Sequence, residues 1–174
     1  MRLWIALFLA LAAWLPVTAS LADEEPTLNA LLTELPLLRG APLALDDLED
    51  RVVLVAFFAS WCPPCKYEFP HLNTVQRAYG EKGLQIVAIN VFETYEGLST
   101  PEKLDAFLTD TAPVFPILKG DAETRRIFGN LDRIPTMFLF KRDGDLNFVF
   151  RHERDAEKTH LSEAELRAAI EPLL

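Results

Sequence analysis

The stretch Val53-Leu54-Val55-Ala56-Phe57-Phe58-Ala59-Ser60-Trp61-Cys62-Pro63-Pro64-Cys65-Lys66-Tyr67-Glu68-Phe69-Pro70 decides how the rest of the chain is read. Its first seven residues, with Val52 before them, are apolar without interruption and mostly β-branched or aromatic. Their length suits one strand buried on both faces. The second part begins with two prolines and continues with helical spacing over 64–79, ahead of Gly80 and Gly83. A strand that feeds directly into a helix is the opening unit of an α/β layer arrangement. The two cysteines of the chain, Cys62 and Cys65, stand at that junction.

Placement gives the cysteines their chemistry. A thiol at a helix N-terminus faces unpaired backbone N–H groups and the positive end of the helix dipole. Both favour the thiolate, the form that attacks disulfides. Cys62 is expected just outside the first turn and exposed, with Cys65 one turn inward and shielded. Pro63 and Pro64 stiffen the turn at positions where a helix needs no N–H. An exposed, acidic thiol with a buried resolving partner is the working arrangement for exchange. Two other readings use the same pair. A purely structural disulfide would close a loop too short to gain much entropy. A metal site would need two more ligands, with only His71, His152 and His160 as histidines to supply them.

Working outward, residues 84–91 form a second buried strand. Thr100, Pro101 and Glu102 supply a cap, a first-turn proline and a first-turn acid for a helix to about residue 109. A short strand is expected at 115–118 and a short helix at 121–128, stopped at Gly129. Strands at 136–140 and 147–150 are joined through Arg142-Asp143-Gly144, a hairpin signal. Ser162 opens a last helix with carboxylates in its first turn. Residues 40–48 resemble a short strand and a turn. Residues 23–38 carry little pattern and form a leader in which Pro26 and Pro36 limit any helix. With 174 residues, 50% apolar, and no repeat or second core, the body reads as one α/β domain at 39–174. The formal charge of −9 argues against nucleic acid as a partner, because that needs a basic footprint.

The front of the chain reads as an address. Met1-Arg2 precedes an uncharged apolar run over 3–15, broken at Pro16 and followed by Thr18, Ala19, Ser20 and Ala22. That is the pattern of a secretory signal peptide over 1–22, cut after Ala22, with an uncleaved inner-membrane anchor as the alternative. Either places the body outside the cytoplasm, in the periplasm.

The quoted stretch resembles the active-site segment of thioredoxin-like proteins, and more closely the extracytoplasmic TlpA/ResA/CcmG group of thiol:disulfide oxidoreductases. Pro70, five residues after Cys65, matches the proline inside the active-site helix of that fold. Arg133-Ile134-Pro135-Thr136 matches the loop whose cis-proline faces the two cysteines, which implies a cis bond before Pro135. Glu68 and Glu93 match two carboxylates of the ResA-like members. The resemblance covers about 35–172 and implies a central mixed β-sheet flanked by helices. Thioredoxin carries a buried aspartate six residues before its first cysteine; here that position is Ala56, so proton handling would pass to Glu68. A bland reading stands beside each: Glu68 as a solvated helix acid, Glu93 as a loop acid, Trp61 as core packing.

The resemblance implies a protein-disulfide reductase that needs no cofactor. Cys62 and Cys65 carry the exchange and Glu68 moves a proton. Trp61, Pro63, Pro64, Ile134 and Pro135 meet the substrate, with Glu93 as a second acid. Its partners would be a disulfide-containing extracytoplasmic protein, such as apocytochrome c before haem attachment, and a membrane thiol donor for re-reduction. A disulfide oxidase or isomerase using the same cysteines is the first alternative, and a Cu(I)-handling module the second.

Overall fold

The computed structural model describes residues 27–153 and 155–174. The expected targeting segment at 1–22 lies outside the described residues. Among those described, no helix is long and apolar enough to cross a membrane.

Strand β2 (Val52–Phe58) is buried along its whole length. It lies between β3 (Leu84–Asn90), parallel to it, and β5 (Thr136–Phe140), antiparallel. Beyond β3 come β4 (Ile117–Lys119), parallel, and β1 (Leu37–Arg39), antiparallel; beyond β5 comes β6 (Leu146–Arg151). The sheet is therefore mixed and six-stranded, in the order β1-β4-β3-β2-β5-β6. Alternation along β2 supplies both faces of the core. Phe57 meets Phe128 and Phe138, while Phe58 meets Phe69 and Phe107 on the other side. The remaining elements are α1 (Leu28–Glu34), α2 (Pro63–Tyr79), α3 (Pro101–Thr111), α4 (Ala122–Ile127) and α5 (Glu163–Ile170). Phe69 of α2 and Phe107 of α3 pack edge to face, so the helix that carries the cysteines is pinned to the sheet and to its neighbour.

The structure corrects the reading of residues 27–48. Within the expected leader, α1 is capped by Thr27 and β1 pairs with β4. The strand expected within 40–48 is absent; a single 3₁₀ turn occupies Leu45–Asp47. A three-residue strand has no periodicity to read, and β1 exists through its partner: Lys119 N–H donates to the Pro36 carbonyl at 2.8 Å, extending the pairing. Gly40, at φ +98°, makes this possible, since a Cβ there would sit 3.3 Å from the Phe115 carbonyl oxygen.

Candidate active site

Three parallel strands end side by side, and β2 runs from Phe58 through Ala59-Ser60-Trp61 into α2. Open α/β sheets bind their ligands at such carboxyl ends. Cys62 is the N-cap residue of α2, with Pro63 and Pro64 in the first turn. Its sulfur accepts the Cys65 N–H at 3.2 Å and is bonded to the Cys65 sulfur, with the Cα atoms 5.3 Å apart. The same N–H would stabilise a Cys62 thiolate once the bridge opens. Cys62 is not exposed as expected: it is 3% accessible, against 1% for Cys65. The bridge draws its sulfur back over the helix end toward a residue that belongs to the core.

Glu68 lies one turn beyond Cys65 on the same helix face. It is not a solvated acid. The carboxyl is 2% accessible and accepts one backbone N–H, from Leu161 at 2.9 Å. Burial pushes its pKa up to about 8, and the Leu161 N–H recovers only part of that. Ala56, where thioredoxin has its aspartate, is buried in β2. Glu68 is thus a buried ionisable group on the Cys65 side of the bridge.

Glu93 is built differently. Half-buried after β3, it accepts the Ser60 N–H at 3.0 Å, the Asn90 amide at 2.6 Å, and the Ser60 and Ser99 hydroxyls. Burial opposes its ionisation, but the donors from Ser60, Ser99 and Asn90 outweigh it and hold the carboxyl below the ordinary range. The side chain ties the loop after β3 to the turn that presents Cys62. Trp61 makes a parallel link: its indole N–H donates to the Phe92 carbonyl at 2.9 Å and its ring stacks on Tyr95.

The Ile134–Pro135 bond is cis. Register places it beside the cysteines' strand, because Thr136 pairs with Phe57 at the end of β2. The loop is held from three sides. The Arg133 carbonyl accepts the Thr136 hydroxyl, the Pro135 carbonyl accepts the His152 N–H, and the Arg133 guanidinium bonds Asp132 and Glu153. The charged stretch after β6 therefore wraps this loop. The backbone of Ile134 makes no hydrogen bond among the described residues, which leaves a short unpaired edge at the site. No group of three His, Cys, Asp or Glu among the described residues is placed to hold a metal ion.

Ser99, Phe92 and the Leu161 N–H carry no sequence signal that marks them. Ser60 alone had a hint, by adjacency to Trp61-Cys62.

The comparisons agree with this geometry. The chain is 30% identical over 126 residues to the thiol-disulfide oxidoreductase ResA of Bacillus thuringiensis (strain Al Hakam). That match covers 71% of this chain and 65% of the relative, so the chain spans just under two thirds of its length. Similarity to the sporulation thiol-disulfide oxidoreductase A of Bacillus subtilis (strain 168) is 26% over 141 residues, covering 80% and 82%. Among solved structures, a thiol:disulfide interchange protein of the thioredoxin family from Chlorobium tepidum TLS superposes with a TM-score of 0.61 at 26% identity, over 76% of this chain and 86% of that one. The fold is thioredoxin-like, as the quoted stretch implied. The family model that matches, over residues 22–170, is that of the Redoxins, and it is to the Redoxin family that this chain belongs.

Proposed function

We propose that the protein is an extracytoplasmic thiol:disulfide oxidoreductase that reduces disulfides of partner proteins. The observation that carries this is the Cys62–Cys65 bridge at the start of α2, with a buried carboxyl one turn behind it. In the reduced protein, the Cys62 thiolate attacks a partner disulfide, forms a mixed disulfide and expels one partner thiolate. Cys65 then gives its proton to the Glu68 carboxylate, attacks the Cys62 sulfur and releases the second partner thiolate. The products are a reduced partner, the Cys62–Cys65 bridge and a neutral Glu68. A carboxyl with a pKa of about 8 is mostly neutral at pH 7, so the step runs through its ionised minority, and the disulfide form then keeps the proton delivered.

Substrate binding is assigned to the surface around the bridge. The unpaired Ile134 backbone, next to Pro135, would take an extended partner segment as an added strand. Trp61, Pro63 and Pro64 would border that segment on the helix side. The apolar run at 3–15 supports export, with 1–22 as a signal or an inner-membrane anchor, and so a periplasmic site of action. A membrane thiol donor would return the bridge to the dithiol, and apocytochrome c before haem attachment is the type of client we propose.

The deciding experiment is the reduction potential of the Cys62–Cys65 couple against a dithiol buffer, paired with a Cys65→Ser variant. A potential toward about −270 mV and covalent trapping of partners by the variant are expected. A potential near about −120 mV would reverse the direction to oxidation. A variant that traps nothing but loses bound Cu(I) would replace exchange with metal handling.

A further inference from the structure

A groove runs along the loop after β3, which Trp61 and Glu93 tie to the turn that presents Cys62. One hollow of about 500 Å³ opens beside Tyr95, Lys119 and Asp121. A second, of about 390 Å³, reaches Asn130 and Asp132, just ahead of the cis-proline loop. Phe92 and Arg125 line both, with the Arg125 guanidinium 4.6 Å above the Phe92 ring centre, so the two hollows meet across this stacked pair. Phe92 and Asn130 are both left-handed, at φ 56° and 57°, a conformation that disfavours a phenylalanine. Phe92 is kept there by its carbonyl, which accepts the Trp61 indole N–H and the Tyr95 N–H. The groove is thereby fastened to the residue preceding Cys62.

Its charges are unevenly committed. Glu93 is held by Ser60, Ser99 and Asn90, and Asp121 caps α4 through the Thr124 N–H at 2.8 Å. Asp132 bonds Arg133. Lys119 and Arg125, in contrast, have no ion-pair partner among the described residues. In a chain of net charge −9, two uncommitted cations thus line the hollow whose loop is tied to the turn before Cys62.

We infer that this groove receives the stretch of partner chain flanking its reactive cysteine, and that Arg125 and Lys119 select a carboxylate side chain in that stretch. The inference rests on the disulfide-exchange reading and adds a substrate preference to it. A partner segment leaving the Ile134 edge passes Asn130, crosses the Phe92–Arg125 pair and arrives at Lys119. Arg125 already stacks on an aromatic face, which orients its guanidinium without neutralising it.

The test uses the reduced protein with three probes. One is bis(2-hydroxyethyl) disulfide, small and uncharged. The others are two short peptides, each with one cysteine in mixed disulfide with 2-mercaptoethanol, which differ only in carrying glutamates or glutamines around that cysteine. The glutamate peptide should react about fivefold faster at ~20 mM salt, and the preference should shrink at ~0.5 M. Lys119→Gln and Arg125→Gln should each bring it to about twofold or less. Equal rates for the two peptides, or a preference that both variants retain, overturn the inference. Lys119 is exposed, so its variant carries the test even if Arg125→Gln does not fold. A wild-type protein that ignores bis(2-hydroxyethyl) disulfide sinks the exchange reading itself, and the groove with it. One that reduces this probe yet treats the peptides alike sinks the groove alone.

Discussion

Two carboxyls flank the cysteine pair, and they have been given opposite chemistry by their surroundings. Glu68, behind Cys65, is almost wholly buried and has one backbone donor; burial wins and its pKa climbs to about 8. Glu93, ahead of Cys62, is only half-buried and has four donors; the donors win and its pKa falls. The count of hydrogen bonds to the charged form, set against the degree of desolvation, decides between a group that titrates near neutrality and a fixed charge. One side of the site can titrate near neutrality, while the other is a rigid strut.

The largest expected consequence lies in stability. A folded-state pKa above the unfolded one means the folded chain holds a proton that the unfolded chain has released. For Glu68 that holds between about 4.5 and about 8, so its contribution is fully present below the lower value and is lost as pH rises through the upper one. Glu68→Gln cannot lose that proton and keeps an acceptor for the Leu161 N–H. In urea titrations the variant should gain on the wild type by about 3 kcal/mol between pH 5.5 and pH 9. Parallel pH profiles would show that Glu68 is solvated and dissolve the contrast.

Next in size is Glu93→Ala. It leaves the Ser60 N–H, the Asn90 amide and two hydroxyls without their acceptor, and should cost about 2–3 kcal/mol. Because the carboxylate is already ionised, the loss should be flat from pH 6 to pH 9. A loss that grows or fades through that range would make Glu93 a titrating acid after all. A smaller effect concerns rate. If Glu68 takes the Cys65 proton, Glu68→Gln should lengthen the life of a quenched mixed disulfide by about tenfold, at the low end of what acid–base groups supply. It should leave the first attack by Cys62 unchanged. Equal slowing of both steps would mean that the substitution acts on the cysteines through packing.

What the sequence disclosed follows the same division. Val52–Phe58 and the cysteine helix were legible because an unbroken apolar run and a proline-led turn are local signals. The cis-proline loop was legible only through resemblance, since nothing in Arg133-Ile134-Pro135 dictates a cis bond by itself. Strand β1 was missed because three residues become a strand only when β4 lies beside them. The environment of Glu68 was beyond reach for a sharper reason. Its one donor is a backbone N–H 93 residues away, and every residue except proline offers such a group. The exposed Cys62 was likewise a local inference, which the bridge to a core cysteine overrides.

Trp61 tests whether the rigid side is rigid through redundancy. The loop after β3 is tied to the active-site turn twice, by Glu93 to Ser60 and by the Trp61 indole to the Phe92 carbonyl. Trp61→Phe removes the second tie but retains a ring to stack on Tyr95. The Phe92 carbonyl still has the Tyr95 N–H, so no buried acceptor is orphaned. The cost should therefore be about 1 kcal/mol, well below that of Glu93→Ala, and the Glu68 pH dependence should not move. A loss matching Glu93→Ala would mean that the two ties act as one unit rather than in parallel, and the double variant would then cost no more than either alone. A shifted pH dependence would mean something further: that the strut in front of Cys62 sets the burial of the carboxyl behind Cys65, so that the two sides of the site are not independent.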